Sequence, residues 1–140
     1  MDILEKMLRI WDQAGERPYE VLMEQGLYDE FMSILSSSTI CTEDLIYRGT
    51  MRHLDLQVGD RFTYSYPTSW TADIKVATNF IEPGRAILCI EPSCLRALPN
   101  PYNSYGEEEF ILYPASFQVF AIETYHGTFG DYTLVHLQPV

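Results

Sequence analysis

The hydrophobic period of this chain changes at about Leu45, and that change limits the fold more than any other feature. Before it, in "MDILEKMLRIWDQAG", Ile3, Leu4, Met7, Leu8 and Trp11 recur at three- and four-residue spacing, and Gly15 is a natural terminator. A second helix is expected from Pro18, a good first-turn residue, through Val21 and Leu22 to Gly26. A third follows in "LYDEFMSILSSS", with Leu27, Phe31, Ile34 and Leu35 on one face. This helical segment is expected to pack against the rest of the chain rather than to carry chemistry. After Leu45, short runs of β-branched and aromatic residues are separated by Gly, Pro, Asn and Asp, which is strand texture. Strands are predicted near "LIYRG", "DRFTYS", "AILCIE", "EEFILY", "SFQVFAIET" and "YTLVHLQ", with a hairpin turn around Gly127 to Asp131. Helical spacing returns once among them, in "TADIKVATNF" through Ile74, Ala77 and Phe80, closed by Pro83-Gly84. The order predicts an α+β fold with largely antiparallel sheets, since a single crossover-length helix lies between candidate strands. With 140 residues, one domain over 1–140 is expected, made of a helical segment 1–40 and a β-rich core 45–140.

Charge narrows the partners. The chain has 20 acidic and 9 basic residues, a formal net charge of -11, and direct binding of a nucleic-acid backbone needs the reverse balance. Cys41, Cys89 and Cys94 are an odd number with no amino-terminal signal peptide ahead of them, so reduced thiols and a cytoplasmic location are expected. Cys89 and Cys94 lack the usual zinc-ligand spacing, and His53, His126 and His136 form no sequence cluster with them, so no metal is expected. No apolar run approaches the roughly 20 residues that a membrane-spanning helix requires.

Three short stretches hold residue types that do chemistry. In "IYRGT", Arg48 ends an apolar strand and can present a planar donor fork to a phosphate or carboxylate, while Gly49 permits close backbone approach by a ligand. A surface arginine beside a turn glycine explains the same letters. In "YPTSWTADIKVATNF", Ser69 and Thr71 share a face if the segment is extended, and Trp70 points the other way. Thr71 also suits the N-cap of the following helix, with Asp73 in its first turn. Taken alone, this stretch is read as structural, with Trp70 a spare aromatic. In "YGEEEFILYPASFQVF", Glu107 and Glu109 project to one side of a strand and Glu108, Phe110 and Leu112 to the other. Two carboxylates roughly 7 Å apart at their base disfavour joint ionisation unless a cation or donors intervene. An edge strand charged against aggregation explains them equally well.

Taken in order, the three stretches resemble the arginine-serine-glutamate class of mono-ADP-ribosyltransferases, the cholera-toxin-like and ecto-transferase side of that superfamily. There a strand bearing aromatic-Arg-Gly is followed by Ser-Thr-Ser and then by Glu-x-Glu leading into an apolar strand. Here "YRG" carries Arg48, "SWT" carries Ser69 and Thr71, and "EEEFIL" carries Glu107 and Glu109, with Val76, Ala77 and Phe80 in the helix after the serine motif. The resemblance spans Leu45 to Glu123. Trp70 stands where the middle threonine is usual and Thr71 where the final serine is. It implies two mostly antiparallel facing sheets around an NAD cleft, with NAD as substrate and no metal. It further implies that Glu109 stabilises the charge developing on the nicotinamide ribose, that Ser69 holds its carboxylate, and that Glu107 orients and deprotonates the acceptor. Arg48 would pair with the phosphates, Gly49 would face the nicotinamide amide, Thr71 would support the site, and Phe80 would pack on the nicotinamide. The implied function is transfer of ADP-ribose to a protein side chain, arginine by the presence of Glu107, in a toxin, an effector or a phage modifier of host proteins, acting in its own cell or in a host's. Two other readings stand beside it: an NAD glycohydrolase, and a non-enzymatic acidic protein that occupies a basic surface or mimics nucleic acid. A glycoside hydrolase is disfavoured, because its carboxylates flank the scissile bond from opposite sides.

Overall fold

The computed structural model describes residues 2–15, 17–39, 45–50, 55–78, 86–91, 95–103, 108–127 and 130–140. Three helices come first: α1 (Ile3–Gln13), α2 (Pro18–Glu24) and α3 (Tyr28–Ser36). The Asp2 carboxylate accepts from Glu5 N–H at 2.7 Å and so caps α1. Arg17, in the left-handed region at φ 53°, turns the chain into Pro18 at the start of α2. The helices bury Met7, Leu8, Trp11, Leu22, Phe31 and Leu35 in one cluster, and Ile111 from the sheet joins them. Side chains of this size are worth about 1.5–3 kcal/mol each when fully buried, which suffices to seat the helices on the sheet.

The strands are β1 (Ile46–Gly49), β2 (Arg61–Tyr64), β3 (Thr68–Thr71), β4 (Ala86–Ile90), β5 (Ala97–Pro99), β6 (Glu109–Leu112), β7 (Ala115–Gly127) and β8 (Gly130–Pro139), with α4 (Ile74–Thr78) between β3 and β4. All six predicted strands and all four predicted helices are present. β3 and β5 are additions: four residues of "TSWT" and three of "ALP" are too short to show a period. The predicted close of α4 at Phe80 to Gly84, and the hairpin residues Thr128 and Phe129, lie outside the described residues.

The strands form one hydrogen-bonded sheet in the order β2-β7-β8-β4-β1-β3-β6-β5. Among the described pairings only β4 with β8 is parallel. The two facing sheets implied by the resemblance are thus halves of one continuous sheet. Their inner surfaces meet in a shared core that includes Trp70, Leu88, Leu112, Phe117, Val119 and Leu137. Pleat alternation divides the other half-sheet residues cleanly. Phe110 and Leu112 turn into that core, whereas Ile111 turns out to the helices. α4 covers the same outer face further along, where Ala77 packs with Ile87, Cys89 and Leu134.

Candidate active site

The outer face of β3 and β6 gathers the hydroxyls and the described carboxylate. Ser69 lies opposite Ile111 and Thr71 opposite Glu109, so all four side chains share the face that α1 covers. The expectation that Ser69 and Thr71 face one way and Trp70 the other therefore holds. Trp70 is 2% exposed, stands over Phe117, and donates its indole N–H to the Thr68 hydroxyl at 2.8 Å. It belongs to the core.

Thr71 does not cap α4. Its hydroxyl accepts from Asp73 N–H at 3.1 Å as the last residue of β3. Asp73, directly before α4, accepts from Lys75 N–H at 2.9 Å and does the capping. The strand runs on to Thr71 because the β6 ladder continues that far, which moves the cap two residues along.

Arg48 and Gly49 end β1, and Gly49 pairs with Ile87 in extended backbone. Tyr47 faces Thr71 across the ladder, so alternation sends the Arg48 side chain to the other face of the sheet. There its guanidinium lies over the Tyr64 ring at 5.4 Å. Its Nη1 donates to the Ser69 carbonyl at 3.0 Å, so the arginine meets the serine motif through the backbone. One of five guanidinium donors is used in this bond.

Two further residues enter the site. Trp11, on α1, donates its indole N–H to Ser69 Oγ at 2.7 Å. Asn100, directly after β5 and 4% exposed, donates from Nδ2 to Glu109 Oε1 at 2.8 Å. Sequence reasoning missed both. Trp11 reads as one more apolar position of α1, and Asn100, between two prolines, reads as loop. A tryptophan N–H must find a partner when buried, but periodicity cannot say which. Glu108 is exposed and its carbonyl accepts from Ala72 N–H at 3.1 Å, extending the β3–β6 ladder. Glu107 and Phe80 lie outside the described residues, as do Cys41, Cys94 and His53.

No family model matches the sequence, and no curated protein does. Solved structures do match. The Salmonella SpvB ATR domain superimposes with a TM-score of 0.60 at 14% identity, covering 100% of both chains. ADP-ribosyltransferase Vis, solved with agmatine, matches with a TM-score of 0.60 at 18% identity over 97% of this chain and 68% of that one. Vis is a toxin from Vibrio splendidus. The fold is that of the ADP-ribosyltransferases.

Exoenzyme S from Pseudomonas aeruginosa, in complex with human 14-3-3 protein beta and bound to carba-NAD, matches with a TM-score of 0.62 at 16% identity over 96% of this chain and 66% of that one. At these identities the likeness is one of architecture, and function has to be argued from the site. Within the ADP-ribosyltransferase fold the chain brings the side chains of Ser69, Thr71 and Glu109 together on one face of adjacent strands, and Arg48 is fastened to the Ser69 backbone from the opposite face. Among the described residues no helix is long and apolar enough to cross a membrane.

Proposed function

We propose that this chain cleaves NAD at the bond between nicotinamide and ribose and transfers the ADP-ribose to a protein side chain. One observation carries the reading: on an ADP-ribosyltransferase fold, Glu109 shares a strand face with Ser69 and Thr71, and Asn100 holds its carboxylate. Nicotinamide in NAD is already cationic, so the breaking bond returns its electron pair to the ring nitrogen and needs no acid. What needs help is the positive charge left on the ribose. A fixed carboxylate supplies that help, and Glu109 takes this role. Ser69 lies diagonally across the ladder and supports it. Arg48, with donors to spare beyond the Ser69 carbonyl, takes the phosphates. Gly49 and Phe80 attend the nicotinamide, and Thr71 steadies the end of β3. Glu107 accepts the proton that the acceptor loses as its new bond to ribose forms.

Arginine is the proposed acceptor. Vis binds agmatine, which carries the guanidinium of arginine, and the net charge of -11 favours a target with a basic surface. Carba-NAD on exoenzyme S supports NAD as the donor here. A toxin or effector role, in its own cell or in a host's, follows the same neighbours. The 140-residue chain is proposed to act as one domain.

Nicotinamide release from NAD is the deciding measurement, made on the protein and on Glu109→Gln. The glutamine keeps an acceptor for Asn100, so the fold is expected to persist while release drops by at least about a hundredfold. Equal rates would remove Glu109 from the chemistry. Mass spectrometry of an arginine-containing protein target then separates transfer from hydrolysis: adduct supports transfer, and nicotinamide release with no adduct leaves a glycohydrolase. NAD that neither stabilises the protein against heat nor is cleaved would leave the acidic-interaction reading.

A further inference from the structure

Helix α1 was expected only to pack, and its apolar face does pack, with Met7, Leu8 and Trp11 closing over Ile111. Packing does not account for its polar contacts. Trp11 and Leu8 lie three residues apart, on one side of the helix, and each engages a different residue of the site. Trp11 N–H donates to Ser69 Oγ. The Leu8 carbonyl accepts from Asn100 Nδ2 at 3.4 Å, and the same nitrogen donates to Glu109 Oε1 at 2.8 Å.

The Asn100 amide has partners at both its nitrogen and its oxygen. Its two hydrogens go to Leu8 and Glu109, its Oδ1 accepts from Tyr102 N–H at 3.0 Å, and its backbone N–H donates to the Glu109 carbonyl at 3.0 Å. Turning the amide over would set its oxygen against two acceptors, so the network allows one orientation. Burying an amide this deeply is costly unless its polar atoms are bonded, and here both are. The indole can only donate, so Ser69 Oγ must be the acceptor in that pair. The serine's own proton is then free to point elsewhere on the face it shares with Glu109.

We propose that α1 is a positioning element of the NAD-cleaving site, holding the Ser69 hydroxyl through Trp11 and the Glu109 carboxylate through Leu8 and Asn100. The proposal rests on the reading of Glu109 and Ser69 as site residues given above. Its physical content is preorganisation. A glutamate side chain is flexible, and a carboxylate that stabilises a transient charge works best when its position is set before the reaction. The apolar contact with Ile111 sets the height of α1 over the sheet, and the two hydrogen-bond chains convert that height into side-chain positions. Trp11 and Asn100 are positioning residues: they touch Ser69 and Glu109, not the reacting atoms.

The test compares Trp11→Phe, Asn100→Asp and Asn100→Leu with the unaltered protein in steady-state nicotinamide release from NAD across pH. Loss of a hydrogen bond to a charged group corresponds to about a 10- to 100-fold fall in kcat for the Asn100 variants, with KM for NAD within about twofold. Trp11→Phe is expected to lower kcat several-fold. The acid limb of the kcat profile should move to higher pH in Asn100→Asp, because a second carboxylate beside Glu109 opposes its ionisation. A role in stability alone would move neither the limb nor the ratio of kcat to KM. Carbon-13 NMR titration of the Glu109 carboxyl gives a readout without turnover, and its midpoint should rise in both Asn100 variants. Folded variants with unchanged kcat, pH limb and carboxyl midpoint would overturn the proposal. If the unaltered protein releases no nicotinamide, the NAD-cleaving function fails, and the NMR shift still decides whether Asn100 holds Glu109. Should an Asn100 variant not fold, Trp11→Phe with its kcat and pH limb decides.

Discussion

Trp70 on β3 and Phe117 on β7 meet with ring centroids 6.0 Å apart, although β8, β4 and β1 stand between their strands in the sheet. That contact exists only because the sheet folds over on itself. The tryptophan in the serine motif therefore fastens the two halves together, directly behind Ser69 and Thr71. Trp70→Ala is expected to destabilise the protein by about 3–5 kcal/mol, the usual cost of emptying a large aromatic site. Urea denaturation reads this as a lower midpoint with an unchanged slope.

Arg48 ties β1 to the serine strand in a way lysine cannot copy. Its planar group lies over Tyr64 while one N–H reaches the Ser69 carbonyl. Arg48→Lys keeps the charge and loses the fork, so a stability loss of about 1–2 kcal/mol is expected. With the proposed phosphate contact also weakened, KM for NAD should rise about tenfold while kcat changes less. Thermal unfolding and steady-state kinetics check the two halves of this prediction.

Cys89 makes stability fall on the alkaline side. It is 1% exposed, and burial, with a smaller contribution from Glu123, pushes its thiol up to about 11 from an ordinary 9.0. In the folded protein the thiol stays neutral at a pH where the unfolded chain already ionises. Stability is therefore full below about pH 9 and declines as pH rises toward 11. Tyr47, raised by burial and by Cys89, extends the decline above its ordinary 10.0. Urea midpoints at pH 8 and pH 10.5 should differ in the unaltered protein and differ less in Cys89→Ala. Peptide mass spectrometry after a thiol reagent at pH 8 should find Cys89 unmodified until urea unfolds the chain.

The start of α4 separates two hydroxyl and carboxylate roles that adjoin in sequence. Asp73→Ala is expected to cost about 1 kcal/mol through the lost cap on Lys75 N–H. Thr71→Val loses the bond from Asp73 N–H but leaves that cap in place. Circular dichroism melts of the two variants should show the larger loss in Asp73→Ala.

Much of this molecule is legible without coordinates, because period and punctuation are local properties. The amphipathic spacing of Met7, Leu8 and Trp11 predicts α1, and the alternation of Glu109, Phe110, Ile111 and Leu112 predicts which side chains turn inward. The order of Arg48, Ser69 and Glu109 along the chain is enough to suggest the fold that the solved structures then match. β3 and β5 escaped because three or four residues hold too little pattern. The cap was misplaced for a related reason: how far β3 runs depends on its pairing with β6, not on its own letters.

What only the tertiary structure decided is which polar atoms meet. Trp11 and Ser69 are 58 positions apart, and no local rule joins an indole on the first helix to a hydroxyl on the third strand. Asn100 becomes the holder of Glu109 because β5 and β6 pair and α1 lies over them. Helix and longer strand follow from spacing along the chain, so the sequence by itself determines those elements and the faces they bury. Hydrogen bonds between distant elements follow from how those faces are stacked, and stacking is a property of the folded chain.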